Sequence, residues 1–220
     1  MCGRYNTNLT GRDLANSLGA ELRGISADPC YNRAPTQHAP VLLLEDGRSV
    51  LDMFRWGLIP SWAKDPKIGN RMINARAETA ASKPSFRNAF RRRRCLIPAS
   101  GFYEWQKTPS GKVPHWIYPA DNGLLTFAGL WEEWRPGDDA EPVQTFTILT
   151  TAANAFMKSI HERMPVIITP ENRPAWLDLA TEYDELSRLL TGGPDDLLSA
   201  HPISTRVNSP ANNDPDLTAP

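Results

Sequence analysis

Cysteine is scarce in this chain: Cys2, Cys30 and Cys95 are the only three in 220 residues. An odd number, with no CxxC and no Cys/His ligand spacing, argues against a disulfide scaffold and against a zinc site. It fits a reducing, intracellular compartment, with Cys30 and Cys95 as buried thiols. No apolar run approaches membrane-spanning length, and no charged-then-apolar start marks a secretory leader. Also missing are a phosphate-binding glycine motif, a GxSxG elbow, an HExxH pair, internal repeats and any interior linker long enough to split the chain. Net charge is nearly nil, −1 at neutral pH, so the chain as a whole makes no case for a nucleic-acid partner.

Proline, by contrast, is abundant. Twenty prolines predict short elements joined by ordered turns, while an apolar content of 40%, including seven Trp and seven Phe, suffices for one sizeable core. A helix is expected over residues 10–19, capped by Thr10 and ended by Gly19. Strands 41–45 and 49–56 read as a hairpin around Asp46-Gly47-Arg48. A short helix follows over 85–92, then strands over 95–98, 102–106, 116–119, 124–131 and 145–151. Next come a helix over 154–162, a strand over 166–168, helices over 170–180 and 182–190, and a last strand over 203–207. Trp56, Trp105, Trp116 and Trp131 read as core. Strands outnumber helices, hairpins recur and the βαβ rhythm is absent. The expected class is α+β: a single domain with a mainly antiparallel, curled or barrel-like sheet and a few short flanking helices. The domain is placed at 2–208, with a flexible C-terminal tail over 209–220 that is rich in Pro, Asn and Asp.

Charge is unevenly spread. Lys64, Lys67, Arg71, Arg76, Lys83, Arg87 and Arg91 to Arg94 face only Asp65 and Glu78 within the same stretch. Residues 171–200 reverse the sign, with seven acids and two arginines. A local basic face suits a polyanion held in one groove, and equally suits a solvated helix end at Arg91 to Arg94.

The most informative residue is Cys2. Methionine is trimmed from nascent chains when the second residue is small, and trimming here leaves an amine and a thiol on one residue. Such a 1,2-aminothiol condenses with an aldehyde to a Schiff base, which the sulfur closes to a thiazolidine. With reference pKa values of about 7.7–8.0 for the amine and about 8.5 for the thiol, both are reactive near neutral pH. An N-terminal nucleophile also carries its own general base. Three further polar residues stand in apolar or turn-like settings. Asn74 has small neighbours and an amide that both donates and accepts, which suits either a ligand or a local turn. Glu104 shares a strand face with Phe102; a carboxyl among rings is poised for proton transfer, unless it reaches water at a strand edge. His161 precedes Arg163 and Pro165 at a helix exit or turn, where it serves either proton transfer or structure.

Seven segments in order resemble the SRAP family, the SOS response-associated peptidases. They are Cys2-Gly3-Arg4-Tyr5, Tyr31-Asn32-Arg33-Ala34-Pro35-Thr36, Trp56-Gly57-Leu58-Ile59-Pro60 through Trp62, Ile73-Asn74-Ala75-Arg76-Ala77-Glu78-Thr79, Gly101-Phe102-Tyr103-Glu104-Trp105, His161-Glu162-Arg163-Met164-Pro165 and Ser204-Thr205-Arg206-Val207-Asn208. The resemblance implies a DNA-repair protein that attaches covalently to abasic sites in single-stranded DNA. Cys2 would attack the sugar aldehyde and close a thiazolidine; Asn74, Glu104 and His161 would complete the catalytic group. Arg4, Arg76 and Arg163 would hold phosphates, and Asn32, Pro35, Trp62 and Thr150 would line the groove. Lyase activity and self-removal of residue 1 are implied as well. No cofactor and no metal is expected. The implied partner is single-stranded DNA with abasic sites, the protein a monomer with no membrane association, cytoplasmic and, in a bacterial cell, drawn to the nucleoid on damage. Two other readings stay open. One is a cysteine peptidase using Cys2, His161 and Glu104 on other proteins; the other is a non-covalent single-strand binder that ignores the lesion.

Overall fold

A computed structural model describes residues 2–23, 27–137 and 139–220 of the chain. Met1, whose removal the aminothiol argument requires, lies outside the described residues. Strands run as β1 (Tyr5–Thr7), β2 (Glu21–Leu22), β3 (Cys30–Arg33), β4 (His38–Glu45), β5 (Arg48–Trp56), β6 (Asn74–Arg76), β7 (Arg94–Ala99), β8 (Gly101–Thr108), β9 (Gly111–Pro119), β10 (Leu125–Trp134), β11 (Val143–Ala152), β12 (Arg163–Pro165) and β13 (Leu198–Pro202). Helices are short: α1 (Gly11–Leu18), α2 (Ala77–Ala80), α3 (Arg87–Arg92), α4 (Arg173–Leu177) and α5 (Tyr183–Leu189). The α+β class read from the sequence is the one observed.

Five strands close a barrel in the order β5–β4–β7–β10–β11, the ring being completed by a parallel contact that aligns Thr145 with Arg55 and Phe146 with Trp56. Closure removes most exposed strand edges. Strand alternation divides the barrel residues between two cores. Val41, Leu43, Phe54, Trp56, Ile97, Phe127, Phe146 and Ile148 point one way, into the same buried cluster as Cys2 and Tyr5. Leu42, Leu51, Leu96, Ala128 and Leu149 point the other way, under Leu14 of α1, Phe90 of α3, Trp176 of α4 and Leu186 of α5. The barrel strands are thus buried on both faces, which explains their long apolar runs.

Local signals in the sequence set several boundaries. Thr10 accepts the Asp13 N–H through its side chain and Gly19 ends α1 at φ 61°, so both expected caps are in place. Asp46 and Gly47 have φ of 49° and 76°, the two positive values that a two-residue hairpin between β4 and β5 requires.

The second sheet, β13–β9–β8–β1–β3, lies between the barrel and the end of the chain. On one side Tyr5, Phe102 and Ile117 join the barrel-side core. On the other, Tyr103 and Trp116 pack with Val207 and Leu217. The segment after 208, expected as a tail, packs against this face through Leu217. Pro215–Thr218 forms a 3-10 turn, Leu217 is 1% exposed, and Arg206 pairs with Asp214 at 2.8 Å. Three expectations shift. The helix over 154–162 reduces to one 3-10 turn, Met157–Ser159, because Arg163 is drawn into a ladder with Ala152 of β11. The strand expected at 166–168 begins earlier, as β12, and continues only as a bridge between Ile167 and Phe127. The last strand is β13 rather than 203–207, where a 3-10 turn, Thr205–Asn208, stands instead.

Candidate active site

Cys2 precedes β1 and is fully buried, in a cluster that also holds Phe102, Met157 and Ile160. Its carbonyl accepts a 2.8 Å hydrogen bond from the Asn74 amide. Asn74 is brought there by β6, a three-residue strand laid parallel to β11 with Asn74 opposite Ile148. The other end of that amide, Oδ1, is buried with no partner among the described residues. A buried acceptor left open beside a reactive residue is an available holding point for a substrate hydroxyl.

Glu104 on β8 is 3% exposed and close enough to the Cys2 sulfur for its charge to act on it. Burial first, and that carboxylate second, push the Cys2 thiol well above the ordinary thiol range. At neutral pH the sulfur is therefore S–H, directed at the Arg4 carbonyl 3.9 Å away. Gln106, two residues beyond Glu104 on the same strand face, donates to the Ser159 carbonyl at 2.8 Å. That bond fastens the turn leading to His161 against the face that carries Glu104. Ile160 then buries itself in the Cys2 cluster. His161 is half-buried, and the Arg163 N–H donates to its Nδ1 at 3.0 Å. The same Nδ1 lies 3.1 Å from the Arg163 carbonyl, so both backbone groups of Arg163 hold that edge of the ring and fix its orientation.

The remaining expected residues fall into two groups. Arg76 ends β6, exposed, opposite Thr150 of β11. Arg163 lies on the far side of β11, where its guanidinium donates to the Thr150 carbonyl at 2.5 Å and forms a two-pronged pair with Glu78. Arg76 and Arg163 thus flank one strand, while Thr150 itself is buried and orients Arg163. Trp62 is 58% exposed and lines an open cleft of about 510 Å³ with Lys64, Lys67 and Arg71. Its loop is held by a close Gly57–Gly69 approach; a Cβ on Gly57 would lie 2.5 Å from the Gly69 carbonyl oxygen. Pro35 is half-buried and precedes Thr36, whose φ of 74° is unusual for a β-branched residue.

Arg4 and Asn32 are arranged differently. Arg4 Nη1 donates to Asn32 Oδ1 at 2.7 Å and to the Val207 carbonyl at 2.8 Å, and Nη2 donates to the Asn208 carbonyl at 3.0 Å. Asn32, 1% exposed, directs its Nδ2 at the carbonyls of Val207, Ser209 and Asn212. Both side chains are spent on the C-terminal segment. Part of the basic stretch is also structural: Arg94 is buried on the carbonyls of Phe90, Trp176 and Asp178, and Arg93 pairs with Glu132 at 3.0 Å. Arg87, Arg91 and Arg92 stay exposed. Glu78 and Gln106 escaped the sequence reading. Their partners lie 85 and 53 residues away, and no local signal announces either contact.

Among the described residues no group of three or more His, Cys, Asp or Glu is placed to hold a metal ion, and no helix is long and apolar enough to cross a membrane. What the arrangement supplies is a tethered Cys2, a buried carboxylate, an oriented imidazole, two arginines flanking β11 and an exposed indole in a basic cleft.

Residues 1–210 match the model of the SOS response associated peptidase (SRAP) family, and the chain belongs to that family. It is 43% identical to the abasic site processing protein YoqW of Bacillus subtilis, over 99% of this chain and 98% of the relative. Identity to the abasic site processing protein YedK of Escherichia coli is 32%, covering all of both chains. A crystal structure of a protein from Bacteroides thetaiotaomicron superposes with a TM-score of 0.90 at 28% identity, over 99% of each chain.

Proposed function

We propose that this protein processes abasic sites by capturing them covalently through Cys2 on single-stranded DNA. The observation that carries the reading is the Asn74–Cys2 hydrogen bond beside the Glu104 charge, which together fix the first reactive residue next to an acid/base. The names of relatives 43% and 32% identical support the same substrate class.

The chemistry follows from the groups present. Loss of Met1 gives Cys2 a free α-amine, whose lone pair adds to C1′ of the open-chain sugar aldehyde. The aldehyde oxygen takes up protons and departs as water, leaving a Schiff base. The Cys2 sulfur then adds to the same carbon, and its proton ends on nitrogen. One C=O is replaced by one C–N and one C–S bond, one water is released, and no electrons change hands. A protonated thiol suits this order: the amine attacks first, and sulfur closes the ring once an iminium carbon is present. Glu104 relays protons in ring opening and closure. His161 acts as acid/base at the sugar O4′ or the departing 3′ phosphate. Asn74 holds the Cys2 backbone by Nδ2 and offers Oδ1 to the sugar. Arg76 holds a phosphate by charge-assisted bonds, Arg163 does so on giving up its pair with Glu78, and Trp62 and Pro35 stack against bases without reading sequence. If the Schiff base loses its C2′ proton before the ring closes, the 3′ phosphate leaves instead, which is lyase activity. Self-removal of Met1 would expose the amine without a helper.

The test is incubation with a single-stranded oligonucleotide carrying one abasic site, followed by a denaturing gel and intact mass. A shifted species is expected, smaller by one water than the sum of protein lacking Met1 and DNA. It is abolished by Cys2→Ala and by selective blocking of the α-amine. No shifted band from wild type, or an equal band from Cys2→Ala, ends the reading. Survival after amine blocking, together with cleavage of unrelated peptides, would point to a thiol peptidase.

A further inference from the structure

We propose that the C-terminal segment, residues 207–213, is part of the catalytic apparatus, and that Arg4 and Asn32 are positioning residues that tie it to Cys2. The inference rests on the reading of Cys2 as nucleophile and goes beyond it.

Cys2, Gly3 and Arg4 precede the first strand, so regular ladder pairing begins only at Tyr5. Two fastenings hold them. One is the Asn74 bond to the Cys2 carbonyl. The other is Arg4. Its carbonyl faces the Cys2 sulfur at 3.9 Å and accepts the Tyr103 N–H at 3.0 Å. Its guanidinium reaches across to Val207 and Asn208. Asn32 completes the clamp: its Oδ1 receives Arg4, and its amide hydrogens collect carbonyls from Val207, Ser209 and Asn212. Around this knot the Trp105 indole donates to Asn208 Oδ1 at 2.8 Å, and the Tyr31 N–H donates to Asn213 Oδ1 at 2.7 Å. Leu217 anchors the far end in the apolar cluster with Tyr103 and Val207.

Backbone carbonyls satisfied by a planar fork fix direction as well as distance. Arg4 therefore orients the three residues that end in the nucleophile, and an Asn32 amide with every group engaged has nothing left for DNA. A lysine at position 4 keeps a positive charge but cannot bridge two carbonyls and an amide oxygen in one plane. That difference separates positioning from phosphate binding.

The experiment compares wild type, Arg4→Lys and Asn213→Ala as full chains. Thermal melting checks that each is folded. Crosslinking rate at saturating abasic single-stranded DNA is measured in the Cys2 background. Reversible affinity for the undamaged oligonucleotide, and its salt dependence, are measured in the Cys2→Ala background. Positioning predicts that affinity and salt slope stay as in the parent, while Arg4→Lys lowers the rate on the order of ten-fold and Asn213→Ala about three-fold, misplacement being costly to a reacting geometry. An unchanged rate in Arg4→Lys overturns the proposal. So does a weaker affinity with a salt slope reduced by about 1, the mark of a lost phosphate contact. If Arg4→Lys fails to fold, Asn213→Ala decides alone: an unchanged rate overturns the proposal, and a slowed rate at unchanged affinity upholds it. Absence of any crosslink in wild type would instead sink the functional reading itself.

Discussion

Asn74→Ala separates activity from stability, and its size can be worked from the geometry. The substitution deletes a 2.8 Å hydrogen bond to the Cys2 carbonyl and removes an Oδ1 that has no partner among the described residues. Before the change one buried acceptor is open, at Asn74; afterwards one is open, at Cys2. The count of orphaned acceptors is unchanged, so the stability loss is close to the net value of one hydrogen bond, about 1 kcal/mol. For a chain of this size that shifts Tm by about 2–4 °C. Activity loses more. Both the tether on the nucleophile and the acceptor offered to the sugar disappear, so the crosslinking rate falls about 10- to 100-fold. Asn74→Asp is worse than alanine, since it turns a carboxylate towards a carbonyl near Glu104. The assays are a melting curve and single-turnover crosslinking followed on a denaturing gel. A mutant that melts like wild type and crosslinks at the wild-type rate refutes the reasoning. A mutant destabilised by many degrees shows that Asn74 is chiefly a structural residue.

Three other outcomes follow from the same coordinates. Leu217→Ala, at a side chain 1% exposed, destabilises by about 2–5 kcal/mol in urea unfolding, whereas a loose tail predicts no measurable change. Trp62→Ala weakens reversible binding of undamaged single strands by about 1–3 kcal/mol for the base it stacks on, with no preference among sequences; unchanged fluorescence titrations would remove Trp62 from the groove. Stability also declines in alkali. Burial pushes the thiols of Cys2 and Cys95 and the phenols of Tyr5 and Tyr103 up from their ordinary values of 9.0 and 10.0. Above about pH 9 the unfolded chain sheds these protons while the folded chain keeps them, so folding loses ground as pH rises. Urea midpoints at about pH 8 and about pH 10 should show the decline, and Cys95→Ala should make it shallower while the other three groups keep it; a flat wild-type profile contradicts the assignment.

What the sequence made legible was chemistry and local geometry. Thr10 and Gly19 bracket α1 because caps act within one turn. Asp46-Gly47 turns a hairpin because two positive φ angles are needed there. Closure of the barrel was harder to see, since Arg55 and Thr145 meet from 90 positions apart in sequence with nothing in either strand to name the other. The segment after Asn154 carries helical propensity, yet its backbone is claimed by Ala152 and by the Gln106 tether, both tertiary contacts that override propensity. Asn, Pro and Asp near the C-terminus suggested disorder. One leucine and a run of main-chain carbonyls, gathered by Arg4 and Asn32, hold the segment against the fold. Cys2, Asn74, Glu104 and His161 stood out as types suited to the reaction, while the bond between Cys2 and Asn74, 72 residues apart, needed the fold.

The Arg4–Val207 contact joins residues 203 positions apart. A ribosome makes the first of them 203 residues before the second. During synthesis Arg4 therefore emerges without the carbonyls of Val207 and Asn208 that later receive its guanidinium. Only a chain made through Val207 and Asn208 can assemble the knot, so the two halves of the clamp meet late.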